Sequence, residues 1–148
     1  ELITCGKDFD EICHTITEYN NNTGIYFSLE SLRNFGNNGR VNPAVAKITG
    51  ILGIRLVGNA GDNGTLTPTD KCRGEVKAID TVYKNMLADK YKGGKVIISH
   101  THNEDAALLL VGKIKSDFPD ANVKITKNRA LCSFYAEPGG FLVSYERF

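Results

Sequence analysis

Residues 28–57 read SLESLRNFGNNGRVNPAVAKITGILGIRLV, and this stretch sets the organisation of the chain. Ser28 suits the N-cap of a short helix, because its hydroxyl can accept one of the first free backbone N–H groups. Leu29, Leu32 and Phe35 then fall on one apolar stripe. Gly36 and the run Asn37, Asn38, Gly39 end the helix, since these residues tolerate the left-handed backbone of a tight stop. Arg40 stands directly at the break. A second helix is expected after Asn42, with Pro43 in its first turn and Ala44, Val45, Ile48, Ile51 and Leu52 on its buried face. Gly53 closes it ahead of a strand over residues 54–57. Two helices meeting at a glycine corner that carries one guanidinium suit the holding of an anion.

Working outward, the 148 residues are enough for one domain with a sizeable core, since a chain of this size buries roughly 70% of its unfolded surface. A formal charge of +1 gives no reason to expect nucleic acid or a strongly acidic partner. Tryptophan is absent and the Tyr and Phe residues are scattered, so no base-stacking platform is evident. No apolar run approaches the roughly 18 residues of a membrane span, and no basic-then-apolar leader opens the sequence. Cys5, Cys13, Cys72 and Cys132 are widely spaced without a Cys-x-x-Cys pair, which favours reduced thiols over a disulfide framework. These features describe a soluble, cytoplasmic α/β domain.

Toward the N-terminus, Asp8 or Asp10 can cap a helix running to Tyr19, with Phe9, Ile12, Ile16 and Tyr19 as its core face. His14 lies near that face and reads as structural. Ile25, Tyr26 and Phe27 form an inner strand. The strand at 54–57 pairs with residues from Leu66 onward across the loop 58–64, which lacks the Lys-Ser/Thr ending of a phosphate-binding loop. Arg73 precedes a helix over residues 74–90 with Val76, Ile79, Val82, Tyr83, Met86 and Leu87 on its buried stripe.

Val96, Ile97 and Ile98 form a continuous apolar strand of the kind found in sheets covered on both faces. His100, His102, Asn103, Glu104 and Asp105 follow at the end of that strand. Three readings of this cluster stand: a polar loop capping the next helix, a ligand contact, or a metal site using His100, His102 and Asp105. The helix over 104–117 turns Ala107, Leu108, Val111 and Ile114 inward, and Phe118 and Pro119 stop it. A strand at 123–126, a tail over 130–140 and a last strand at 141–145 complete the chain.

The order of these pieces resembles the DegV family of bacterial fatty-acid-binding proteins. The family pattern is a Leu-x-x-Leu helix, Gly-Gly-Arg-(Ile/Val), an apolar helix, a Leu-Asn-Ile-Lys-Pro-type strand and a hairpin ending in Lys-x-Arg. The corresponding residues are Leu29 to Leu32, then Asn38, Gly39, Arg40 and Val41, then Leu52 through Leu56, and Lys71, Cys72, Arg73. The resemblance implies an α/β fold with a mixed sheet covered by helices, the C-terminal lobe of a two-domain protein whose front domain is missing. Residues 1–23 would be a residual helical segment from the interdomain region, and 24–148 the lipid-binding domain.

The implied protein is a carrier and not an enzyme. It shields a long-chain fatty acid between two domains, needs no cofactor or metal, and presents the carboxylate to the catalytic subunit of a fatty acid kinase. Direct carboxylate contacts would come from Ser and Thr residues of the front domain. Nucleic acid and stable membrane insertion are not expected. Arg40 and Arg73 become the cations at the tunnel mouth, with Gly39 at the corner and Ile48, Phe134 and Tyr135 as tunnel walls. Tyr135 stands where the family has a histidine and Glu137 where it has the first glycine of Thr-His-x-Gly-Pro-Gly. A phenol can donate a hydrogen bond but is neutral near pH 7, and a nearby Glu137 would repel an anion. The alternatives are a metal-dependent hydrolase built on His100, His102 and Asp105, or a docking or dimerisation lobe without ligand.

Overall fold

A computed structural model describes residues 2–42, 53–61 and 65–147. Its elements run α1 (Phe9–Asn21), β1 (Thr23–Leu29), α2 (Arg33–Asn37), β2 (Ile54–Ala60), β3 (Leu66–Arg73), α3 (Glu75–Ala88), β4 (Val96–His100), α4 (Glu104–Asp117), β5 (Val123–Lys127), α5 (Ala130–Ala136) and β6 (Phe141–Glu146). The strands form one six-stranded sheet in the order β3-β2-β1-β6-β4-β5. Only β4 and β5 run parallel; every other neighbouring pair is antiparallel. The fold is therefore the mixed α/β sheet expected from the sequence, with β1 an inner strand and β2–β3 the expected hairpin.

Side chains alternate across a strand, so the register sorts residues onto two faces. Ser28 lies opposite both Val57 and Phe141, and Val143 lies opposite Ile98, which puts these residues on one face. That face packs against Ala78, Ile79, Val82 and Met86 of α3 and Ala106, Ala107, Leu110 and Ile114 of α4 to make the larger core. Tyr145 belongs to this core, and its phenol donates to Asp89 Oδ2 at 2.6 Å. Its ring lies so close over β1 that a Cβ on Gly24 would collide with it, so only glycine fits there.

The opposite face carries Phe27, Leu29, Leu56 and Leu142, and a smaller cluster forms there with Leu32, Val41 and Ala136. Among the described residues only α2 and α5 contribute helices to that cluster, and Ile25 and Ile97 on the same face stay partly exposed. The continuous apolar reading of β4 is thereby corrected: its burial alternates, because helices α3 and α4 pack against one face of the strand and not both.

Other expectations are revised by the same geometry. Ser28 does not cap a helix; it lies within β1, its hydroxyl buried on the larger-core face without a hydrogen-bond partner among the described residues. Helix α2 begins only at Arg33, while Leu29, Leu32 and Phe35 still meet in one cluster, Leu29 from the strand. Asp8 caps α1 through a reciprocal pair with Glu11, its carboxylate accepting the Glu11 N–H at 2.9 Å. The predicted core face of α1 is not buried: Phe9 is 77% exposed, and Ile16 and Tyr19 are also open. Amphipathic spacing says which face is apolar, but a core also requires a surface laid against it.

In α3, Val76 and Leu87 are exposed and Ala78 is buried instead; in α4, Leu108 is exposed and Ala106 and Leu110 take its place. The tail over 130–140 contains a helix, α5, that the sequence did not suggest. The predicted helix after Asn42 and the hairpin tip at 62–64 lie outside the described residues. No helix among the described residues is long and apolar enough to cross a membrane, and all four cysteines are free thiols.

Candidate functional site

The less covered face of the sheet holds an almost wholly apolar pocket of about 180 Å³. Its floor comes from Phe27 and Leu29 of β1 and Leu142 of β6, whose alternation turns them away from the larger core. Phe35 of α2 and Leu66 of β3 form one side. Helix α5 forms the other, through Leu131, Cys132, Tyr135 and Ala136. The Tyr135 ring is central to this wall: its centroid lies 4.5 Å from that of Phe35 and 5.1 Å from that of Phe134, the latter edge-on. Phe134 is half exposed beside the pocket.

Helices α2 and α5 are latched to each other. The Asn34 side-chain amide donates to the Phe134 carbonyl at 2.7 Å, and the Asn34 backbone N–H donates to Glu137 Oε1 at 3.1 Å. Glu137 therefore uses its carboxylate to join the pocket's two walls. Its backbone sits at φ 54, ψ 168, a region that normally requires glycine. The family resemblance puts a glycine at this position; here a glutamate takes this backbone shape and supplies the latch.

Arg40 and Gly39 line a neighbouring cleft of about 340 Å³ together with Val41, Asn42, Thr65 and Leu66. Leu66 lines both spaces, so the guanidinium cleft adjoins the apolar pocket. Gly39 has φ 66, the left-handed stop expected after α2, and the Arg40 N–H donates to the Phe35 carbonyl at 2.9 Å. Among the described residues the Arg40 side chain is exposed and makes no ion pair.

Arg73 is exposed at the far end of β3, and the eight-residue strand separates it from Leu66 by roughly 23 Å. The structure thus brings Gly39, Arg40, Phe134 and Tyr135 around one pocket and its adjoining cleft, with Arg73 at the other end of the hairpin. Ile48 lies outside the described residues. Sequence reasoning did not find Phe27, Leu29, Phe35, Leu66 or Leu142 as lining residues. The available signal was the alternation of Ile25, Phe27 and Leu29 along one face of β1, which calls for cover there.

His100 and its neighbours line a separate, polar cleft of about 450 Å³ at the ends of parallel strands β4 and β5. His100 is only 3% exposed, and its Nδ1 accepts the Asn103 backbone N–H at 3.1 Å. A neutral imidazole that accepts at Nδ1 carries its proton on Nε2, so the free nitrogen is a donor and not a metal ligand. No group of three or more His, Cys, Asp or Glu side chains among the described residues is arranged to hold a metal. The metal reading of His100, His102 and Asp105 is not supported by this arrangement.

Between the cleft and the hairpin, Asn103 donates to Glu75 Oε2 at 2.7 Å and to the Gly139 carbonyl at 2.6 Å. Arg55 donates to the same carbonyl at 2.8 Å and pairs with Glu30 and Glu75. This network ties the loop after α5 to β2 and α3.

Comparison with known proteins agrees with this architecture. A family model described as an uncharacterised protein of the DegV family matches residues 1–147. A DegV domain-containing protein of Streptococcus pyogenes serotype M3 is 41% identical over 145 residues, covering 98% of this chain and 52% of the relative. Among solved structures, the Streptococcus pneumoniae Fatty Acid Kinase (Fak) B3 protein loaded with linoleic acid superposes with TM-score 0.95 at 37% identity. It is covered over 52% of its length by 99% of this chain. A DegV family protein from Eubacterium eligens loaded with heptadecanoic acid gives TM-score 0.94 at 38% identity, with 99% of this chain and 53% of that one covered. The chain spans about half the length of the curated relatives it matches.

Proposed function

The chain belongs to the DegV family, and from that premise we propose that it forms part of a fatty-acid carrier. The observation that carries this reading is the apolar pocket under Tyr135, joined through Leu66 to a cleft that holds Arg40. An amphiphile with one anionic end needs this combination. Each buried methylene contributes about 0.8 kcal/mol, so the chain supplies affinity while the cation and the aromatic phenol orient the head group. Relatives loaded with linoleic and heptadecanoic acid support the ligand class.

In this reading residues 24–148 are the lipid-binding domain and residues 1–23 a helical segment toward a second domain, which completes the tunnel and supplies further carboxylate contacts. The protein is cytoplasmic and presents the acyl carboxylate to the catalytic subunit of a fatty acid kinase, as the similarity to a fatty acid kinase B3 protein suggests. Arg40 and Arg73 then act at the surface that meets the kinase, where guanidinium forks match phosphate oxygens. The phosphoryl transfer belongs to the kinase; this chain binds and orients the acyl group.

Native mass spectrometry of the full-length parent protein from a bacterial host, followed by solvent extraction, tests the proposal. A released species of fatty-acid mass is the expected result. Leu131→Asp is the matched variant, because Leu131 lines the pocket yet is 67% exposed. A charge there should empty the pocket of lipid with little effect on folding. A lipid-free parent that also refuses added oleate would overturn the carrier reading.

A further inference from the structure

The polar cleft at the ends of β4 and β5 has no part in the fatty-acid reading, yet its donors are arranged for a ligand. Helix α4 starts at its floor, and Asn103 at the N-cap makes no side-chain cap. Asn103 instead points its amide at Glu75 and Gly139. Among the described residues the first-turn N–H groups of this 14-residue helix are thus left without a side-chain acceptor, and such an end carries partial positive charge.

The second observation is independent of the helix. His100 lines this cleft while 97% of its surface is buried, and its Nδ1 is occupied by the Asn103 N–H, which leaves the proton on Nε2. That Nε2–H has no acceptor among the described residues. In register beside His100 on the parallel neighbour is Lys127, which lines the same cleft and makes no ion pair among the described residues. The ring N–H of a buried histidine, open to the cleft, an ammonium and an uncapped helix start therefore converge on one space.

The charges nearby are mixed. Glu104 and Asp105 also line the cleft, both exposed in the first turn of α4. Water screens such carboxylates far more than it screens the buried imidazole donor. The void lies within the ~300–1,000 Å³ range of small-molecule sites, larger than an inorganic ion needs. Ligands of mixed α/β sheets also gather beyond the carboxyl ends of parallel strands, which is where this cleft opens.

We propose that this cleft binds the phosphate group of a small phosphorylated molecule, with the Nε2–H of the buried His100 side chain as the donor and Lys127 as the cation. The site is separate from the acyl pocket: α5 stands between them, turning Ser133 to the polar cleft and Tyr135 to the apolar one. Failure of either proposal leaves the other intact.

The test is an amide and imidazole NMR titration of the full chain with inorganic phosphate and with ATP, at ionic strength held constant by sodium chloride. Saturable shifts at the amides of residues 103–106 and at the His100 Nε2–H are expected. His100→Asn keeps an oxygen where Nδ1 accepts the Asn103 N–H but removes the Nε2 donor, so affinity should fall about tenfold with the fold retained. Lys127→Met, at an exposed position, should weaken binding about threefold and gives a second reading if His100→Asn fails to fold. ATP binding well above phosphate would identify a nucleotide-like source, and equal affinities free phosphate. No saturable shift with either probe, or unchanged affinity in both variants, would overturn the site.

Discussion

The two faces of the sheet carry the same kind of apolar strand residues and have different uses. One is sealed by α3 and α4 over Val57, Val96, Ile98, Phe141 and Val143, all fully buried. The other, among the described residues, is met only by the short helices α2 and α5, and between them lies the apolar pocket. The difference is one of cover. Long amphipathic helices fill a sheet face to crystal-like density, whereas two short ones joined by a side-chain latch leave space. The first face supplies stability and the second supplies a place for a ligand.

The sharpest way to break that contrast is to open the sealed face. Leu110→Ala should lower unfolding stability by about 2–5 kcal/mol in urea denaturation, because the side chain is fully buried and its cavity has no way to fill. Leu131→Asp on the open face should leave the same measurement nearly unchanged while removing lipid. Equal stability losses from the two would erase the distinction.

Alkali probes the sealed face through its phenols. Tyr145 and Tyr83 are raised above the ordinary phenol value by burial and then by hydrogen bonds to Asp89 and Asp117, and burial pushes Tyr91 up to about 12. The folded chain thus holds protons that the unfolded chain releases above about pH 10. Stability from these groups is complete below that pH and is lost as pH rises toward the folded values. Urea midpoints should be flat from pH 7 to 9 on this account and fall from pH 10 upward. Tyr145→Phe should flatten part of that fall.

A smaller effect is expected at the latch on the open face. Glu137→Ala keeps the unfavourable backbone and loses the acceptor for the Asn34 N–H, so it should destabilise by about 1 kcal/mol. Glu137→Gly loses the same bond but relieves strain of about 1–3 kcal/mol, and should be neutral or stabilising. If alanine and glycine behave alike, the strained backbone is not a feature of this turn in solution. Smallest in stability terms is Arg40→Ala, which should not change unfolding but should impair kinase-dependent phosphorylation of bound fatty acid. Arg73→Ala should behave similarly if both cations meet the kinase.

Much of this was legible in the chain. The glycine corner at residues 36–39, the β2–β3 hairpin, the capped start of α1 and the helix after Asn103 follow from turn residues and periodicity. Arg40 was singled out by its place at the glycine corner, Phe134 and Tyr135 through the family resemblance, and they lie on or beside the pocket and its adjoining cleft. Other features were hidden for physical reasons. Phe9, Ile12, Ile16 and Tyr19 have helical spacing as regular as that of α3, and periodicity carries no information about whether a surface packs against it. Helix α5 is hidden because its seven residues are bounded by left-handed Ala130 and Glu137, conformations that neither residue type announces.

The amino-acid sequence alone determined most element types and breaks and the α/β class, with α5 and the start of α2 as the exceptions, because those depend on interactions between residues a few positions apart. Tertiary structure alone decided that Phe27, Leu66, Tyr135 and Leu142 share one pocket, and that Glu137 latches it to Asn34. These outcomes depend on strand register and on contacts between segments about 40 to 115 residues apart, distances over which local pattern is silent.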